Sequence, residues 1–309
     1  MKILALSFIC FLIISISATA QIDSLLSQKY SGDDIHLLAP GLLSTSMGEF
    51  SPFFDSNSNE LYFMRRTPGV FDYTIYQSKL TEEGWTTPEI ASFSGKFRDA
   101  APYLSPDGTT LFYDSKRPSF GLAAESINIW STKRTGNGWA EPQLIRTPSL
   151  NSSSEPVPGR DEFGPAVDAE GNLYFYSFRQ PNRGGHFYVS SAPDFQDVQL
   201  NSDLPDPSAP TFVSYLYLTP EGNFALLEGR TQGRRDTDIF CSRKLTNGTW
   251  TKAVNIQSIN STAGDGTPSM SADGKFVFFA SDRKTTQSAA SNPNLYMVST
   301  KKILDECFE

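Results

Sequence analysis

The chain has 309 residues, 39% of them hydrophobic and 19% charged, with a formal net charge of −8 at pH 7. That length holds one sizeable core, and the acidic balance excludes a nucleic-acid binder, which needs clustered Lys and Arg against phosphates. With two histidines and no C-x-x-C, a histidine-rich zinc site is excluded. The G-x-S-x-G, phosphate-loop and dinucleotide fingerprints are absent as well.

Residues 1–20 read as a targeting segment. Lys2 supplies a short basic start, Ile3 to Ala18 is largely apolar, and Ala18-Thr19-Ala20 is a cleavage signature before Gln21. The apolar run is about sixteen residues long with no stop-transfer segment behind it, so export is expected rather than a membrane span. The expected mature chain is periplasmic or secreted and begins at Gln21, with residues 21–33 as a lead-in. Losing Lys2 takes its net charge to −9.

Ile35 to Leu43 is a strand-like run. Glu49 to Arg66, EFSPFFDSNSNELYFMRR, then reads as two strands joined by a turn. The clearest form of this unit is Asp99 to Arg117, DAAPYLSPDGTTLFYDSKR, where Pro106-Asp107-Gly108 supplies a fixed φ, an Asx-type hydrogen bond and a residue tolerant of positive φ. Glu162 to Arg179, Val213 to Arg230 and Asp265 to Arg283 are three further copies. A period of about fifty residues marks a repeat architecture.

A third apolar strand follows each Arg, at Thr74-Ile75-Tyr76, Asn128-Ile129-Trp130, His186-Phe187-Tyr188, Asp238-Ile239-Phe240 and Asn294-Leu295-Tyr296. A turn and often a Trp come next (Trp85, Trp139, Trp250; Asp194-Phe195 in the third copy), read as opening a fourth strand. Four antiparallel strands per repeat predict an all-β, single closed β-propeller. The first copy is preceded by a spare strand and the last lacks its fourth. A ring in which the N-terminal strand completes the final blade satisfies both. Five blades over residues 34–300 are expected, six being left open, with 301–309 a tail and no helix of consequence. Cys241 and Cys307 can pair in an oxidising compartment, but Cys241 in a predicted strand is expected to be a small buried hydrophobe.

The segments PYLSPDG (102–108), PSMSADG (268–274) and LTPEG (218–222), each followed by an apolar strand and an Arg, resemble the WD40-like repeats of TolB-type propellers. The resemblance implies the propeller fold. TolB-type proteins also carry an N-terminal α/β domain and six blades, which this chain lacks room for, so it implies no role.

Three residues before the repeat's Pro stands an acid: Glu49, Asp99, Glu162 and Asp265, with Val213 at that place in the fourth copy. An Arg ends each second strand: Arg66, Arg117, Arg179, Arg230 and Arg283. First strands line a propeller's channel, so two rings are expected at one mouth. The structural reading is a set of charge-assisted pairs holding the ring together. The functional one is a lopsided anionic mouth binding a cation, a sugar or a basic peptide.

The expected function is a protein- or glycan-binding module outside the cytoplasm, monomeric, with no cofactor. The alternative is a glycan-active enzyme in which Glu49, Asp99 and Glu162 work as paired carboxyls about 5 to 9.5 Å apart, as five-bladed glycosidases place carboxylates at the channel. Asp236 and Asp238 offer a calcium-like pair without the rest of an EF-hand loop. His186 reads as a strand-start cap, and Phe71, Tyr73 and Phe120 as loop aromatics open to stacking.

Overall fold

The computed structural model describes residues 26, 30, 32–66, 72–119, 125–136, 138–145, 161–178, 185–201, 212–284 and 292–308. The targeting segment, Phe71, Phe120 and Arg179 lie outside them. A two-residue strand, β1 (His36–Leu37), comes first. Blade 1 is β2 (Glu49–Asp55), β3 (Glu60–Arg66) and β4 (Tyr73–Thr81), with short β5 (Gly84–Trp85) and β6 (Glu89–Ile90). Blade 2 repeats it as β7 (Asp99–Leu104), β8 (Thr110–Ser115), β9 (Asn128–Thr135), β10 (Gly138–Trp139) and β11 (Gln143–Leu144). Blade 3 is β12 (Glu162–Val167), β13 (Leu173–Ser177), β14 (His186–Ser190) and β15 (Val198–Leu200). Blade 4 is β16 (Phe212–Leu218), β17 (Phe224–Arg230), β18 (Asp238–Arg243) and β19 (Val254–Asn255). Blade 5 is β20 (Asp265–Met270), β21 (Phe276–Ser281) and β22 (Asn294–Ser299), closed by β1, which pairs antiparallel with β22. The inner strands pack in the ring order β2, β7, β12, β16, β20 and back to β2.

The hairpins form for the reasons the sequence offers. Gly108 sits at φ 72° and donates its N–H to the Ser105 carbonyl at 2.8 Å, while the Asp107 carboxylate accepts the Thr109 N–H at 3.0 Å. Those bonds fix the turn, and the turn fixes the register of the two apolar runs.

The expected fourth strands need a correction. Trp85 and Trp139 lie on two-residue strands that pair with the far ends of β4 and β9, and β6 and β11 complete the outer edges a few residues later. Trp250 makes only an isolated bridge with Lys244. These indoles pack between blades: Trp139 Nε1 donates to the Tyr62 hydroxyl at 3.1 Å, and Arg134 lies 4.6 Å over its ring while bridging Asp55 and Glu60 of blade 1.

The tail is also corrected. Residues Lys301–Phe308 form a helix, α1, and its Cys307 is disulfide-bonded to Cys241 of β18. Phe308 stacks on Phe224 at 5.4 Å, and Glu306 accepts the Gln257 and Ser258 N–H groups. Cys241 is therefore the anchor of a staple and not a lone hydrophobe. No helix among the described residues is long and apolar enough to cross a membrane.

Candidate functional site: a pocket at one mouth of the channel

The channel is closed at the hairpin-turn end. The fifth residue counted from each ring position is Phe53, Tyr103, Ala166, Tyr217 or Ser269. Three large rings and two small residues fill the axis: Phe53 lies 5.2 Å from Tyr103 and 6.3 Å from Tyr217. The Tyr103 hydroxyl donates to the Leu218 carbonyl at 2.9 Å and that of Tyr217 to the Met270 carbonyl at 3.3 Å. No ligand enters from that side without unpacking them.

At the other mouth sit the ring acids. Glu49, Asp99 and Asp265 are each 0% exposed and Glu162 is 1% exposed. Glu49 accepts from Arg65 Nε (2.9 Å), the Thr45 hydroxyl (2.5 Å) and the Thr45 N–H (2.9 Å). Asp99 accepts from the Ser115 hydroxyl (2.6 Å) and the Ser94 hydroxyl (2.8 Å), with Arg117 at 3.7 Å. Burial pushes the Asp99 carboxyl above its usual range, against those hydroxyls and Arg117. Asp265 accepts from Arg283, the Ser261 N–H and the Ser261 hydroxyl.

Each of these arginines also donates to a carbonyl of the preceding connector: Arg65 to Leu42 and Leu43, Arg117 to Phe93, Arg283 to Ile259. Acid and Arg together clamp the chain where it passes from one blade to the next. The Arg ring is not one ring in register. Counted from the equivalent apolar residues Leu61, Leu111, Ala225 and Val277, Arg117 and Arg283 are six positions on, Arg66 and Arg230 five, and Arg65 four. Hence Glu49 takes Arg65, and Arg66 lies instead over the Phe50 ring at 5.7 Å.

One residue type went unread in the sequence. Every inner strand carries a bulge just past its ring position, at Ser214 in blade 4 and one residue further on in the other four. Ser51, Ala101, Gly164 and Thr267 occupy it at φ 46°, 50°, 55° and 45°, a region unfavourable for all but Gly. The bulge turns the N–H of Gly164 onto the Asp114 carboxylate (3.1 Å) and that of Thr267 onto Glu228 (2.9 Å). Asp114 and Glu228 hold the same place on β8 and β17, where blades 1, 3 and 5 have Met64, Tyr176 and Ala280. Asp114 is paired with Arg98. Glu228 also accepts from the Ser214 hydroxyl at 2.9 Å; burial raises its pKa against the Thr267 N–H, Ser214 and Arg230.

Beside Glu228, blade 5 departs from blade 3. A pocket of about 410 Å³ opens at the mouth between blades 4, 5 and 1, lined by Phe50, Met64, Glu228, Arg230, Arg235 and Asp282 among others. In blade 3 the corresponding sector is filled by Phe163, Tyr176 and Phe178, which pack edge to face. Blade 5 has Gly266, Ala280 and Asp282 at those three positions. A Cβ on Gly266 would lie 2.3 Å from Glu228 Oε2, so the carboxylate occupies the room a side chain would take. Of the predicted ring acids and ring arginines among the described residues, only Arg230 lines this pocket, and Asp236 of the calcium-like pair joins it there.

The remaining candidates fall elsewhere. Asp238 is buried under Arg234 (3.2 Å) and Asn255 (3.0 Å), while Asp236 stands at the pocket. Tyr73 packs edge-on against Phe50 at 5.6 Å. Among the described residues no group of three or more His, Cys, Asp or Glu is arranged to hold a metal ion.

No family model matches the chain, and no curated protein matches it. Solved structures do. TolB from Acinetobacter baumannii superposes with TM-score 0.50 at 17% identity over 82% of this chain and 52% of that one, so the chain spans about half of its length. A thermostable family-43 glycoside hydrolase gives TM-score 0.52 at 12% identity, covering 84% and 92%. A further glycoside hydrolase gives 0.56 at 8% identity, covering 91% and 95%. Likeness at these identities shows one thing, the fold: a β-propeller, here with five blades.

Proposed function

We propose that the chain is a TolB-like propeller acting outside the cytoplasm as a binding module, its ligand seated in the channel-mouth pocket. The observation that carries this reading is the open pocket at the channel mouth, beside ring acids that are buried. Four buried acids repeat around the ring with hydroxyl, amide and Arg donors on three of them, as a frame does. Where blade 3 has the packed rings of Phe163, Tyr176 and Phe178, blade 5 has Gly266, Ala280 and Asp282, and an open pocket lies beside them. Sites are grafted on folds, and a site departs from the repeat that supports it. The pocket's volume falls within the range of small-ligand sites, which join apolar walls to a few placed polar groups.

The glycoside-hydrolase reading rests on fold likeness and on ring acids, of which Glu49 and Asp99 already accept from the protein with both oxygens. Glu49 and Asp99 have no oxygen turned toward an open pocket. They are assigned here to the frame.

The test grafts blade 3 onto blade 5. Asp282→Phe fills the pocket with the residue at the matching place, Phe178. Saturation-transfer NMR of the mature chain against a mixed library of short peptides and oligosaccharides is expected to show at least one bound component, lost in the variant. No bound component, or the same components bound by a stable Asp282→Phe chain, would contradict the proposal.

A further inference from the structure

The proposed pocket has a distribution of groups that selects among ligands, and the inference below rests on that pocket being the binding site. Its walls differ from its floor. Phe50, Met64 and Pro293 give an apolar side, and Glu228 lies half-buried at the inner end, pinned by the Thr267 N–H and the Ser214 hydroxyl. Asp282 has one oxygen on the Gly264 N–H at 2.5 Å and its second carboxylate oxygen beyond that bond. Asp236 and Arg235 are exposed at the rim. Among the charged residues of the lining, Arg230 opposes Glu228 electrostatically and Arg235 stands against Asp236 and Asp282, an excess of one negative charge, with Arg66 outside the lining over the Phe50 ring. The whole chain adds to it with a net −8, a field that draws cations toward a low-dielectric cleft.

An apolar wall leading to carboxylates is the complement of a long methylene stem with a cationic tip. We infer that the pocket receives an arginine or lysine side chain of an extended segment of a protein partner. The stem lies along Phe50 and Met64, the charged tip reaches Asp282 and Glu228, and Arg235 at the rim faces the carbonyl oxygens of the partner's backbone. A guanidinium fits best, since its planar fork meets a carboxylate with two parallel N–H donors.

The experiment is isothermal titration of the mature chain with three probes: N-acetyl-glycyl-arginyl-glycinamide, the same peptide with glutamate in place of arginine, and cellobiose. The arginine peptide is expected to bind and the glutamate peptide not to. Asp282→Asn, which keeps the acceptor for the Gly264 N–H, is expected to weaken the arginine peptide about tenfold, the loss of one charge-assisted hydrogen bond. Glu228→Gln should weaken it as well, with the melting temperature of each variant recorded beside the parent's. No binding of the arginine peptide, or binding unchanged in a stably folded Asp282→Asn chain, overturns the inference. Cellobiose bound by the parent and lost in Asp282→Phe overturns it too, while leaving the binding-module reading in place.

Discussion

Glu49 shows how a residue that looks chemical in the sequence becomes architectural in the fold. Its carboxylate is fully buried and accepts from Arg65 and twice from Thr45, and Arg65 carries on to the Leu42 and Leu43 carbonyls. Removing one partner of a buried pair leaves the other charge without compensation and costs about 3–5 kcal/mol. Glu49→Ala is therefore expected to lower the free energy of unfolding by that amount, measured by urea denaturation; a loss below about 1 kcal/mol, the range of an exposed pair, would contradict the clamp. Glu228 makes a pH prediction of definite sign. Burial raises its folded pKa above the unfolded value, so the folded state holds more protons in the window between them and stability falls as pH rises through it. Asp99 acts in the same sense. Glu60 acts oppositely, being held low by Tyr62, Arg134 and Ser58 despite burial, so its contribution is lost as pH falls. In Glu228→Gln the amide can accept from Thr267 and donate to Ser214. The variant's stability should decline less than the parent's as pH rises above the ordinary glutamate range, and equal slopes would count against the raised carboxyl.

At the scale of elements, the hairpins were legible because their turns are chemical: Pro106, Asp107 and Gly108 each do at φ, side chain and positive φ what their residue types allow. The closure by β1 was legible from counting a spare strand at one end against a missing one at the other. The bulges were not. Ser51, Ala101 and Thr267 are ordinary residues whose left-handed conformation is imposed by packing around the channel, and nothing local in the sequence marks it. Nor was α1, eight residues whose Ile303 and Cys307 find a buried place only once blades 4 and 5 stand side by side. That helix gives a prediction. Cys241 and Cys307 are 66 residues apart, and closing a loop of that size stabilises by about 4 kcal/mol in the chain-entropy account. Cys307→Ser should lower stability by about 2–4 kcal/mol and render unfolding insensitive to dithiothreitol. A parent chain equally stable with and without the reductant would refute the staple.

For the molecule as a whole, what repeats was readable and what breaks the repeat was not. The acids before Pro52, Pro102, Pro165 and Pro268 stood out because they recur, and recurrence is the mark of the frame. The pocket comes from substitutions that look minor along the chain: Gly266, Ala280 and Asp282 where blade 3 has Phe163, Tyr176 and Phe178. Their effect exists only after the blades close and the space beside Glu228 is left open. At the channel mouth, Glu49, Asp99 and Asp265 hold the ring, and the pocket beside Glu228 is the proposed binding place. The measurement that tests this most directly is release of reducing ends from a panel of polysaccharides by the mature chain, beside a Glu49→Gln, Asp99→Asn, Glu162→Gln triple variant, with the thermal stability of both. The account predicts no release from either chain and a triple variant that melts well below the parent. Release by the parent that is lost in a triple variant of equal stability would contradict it and make the ring an active site.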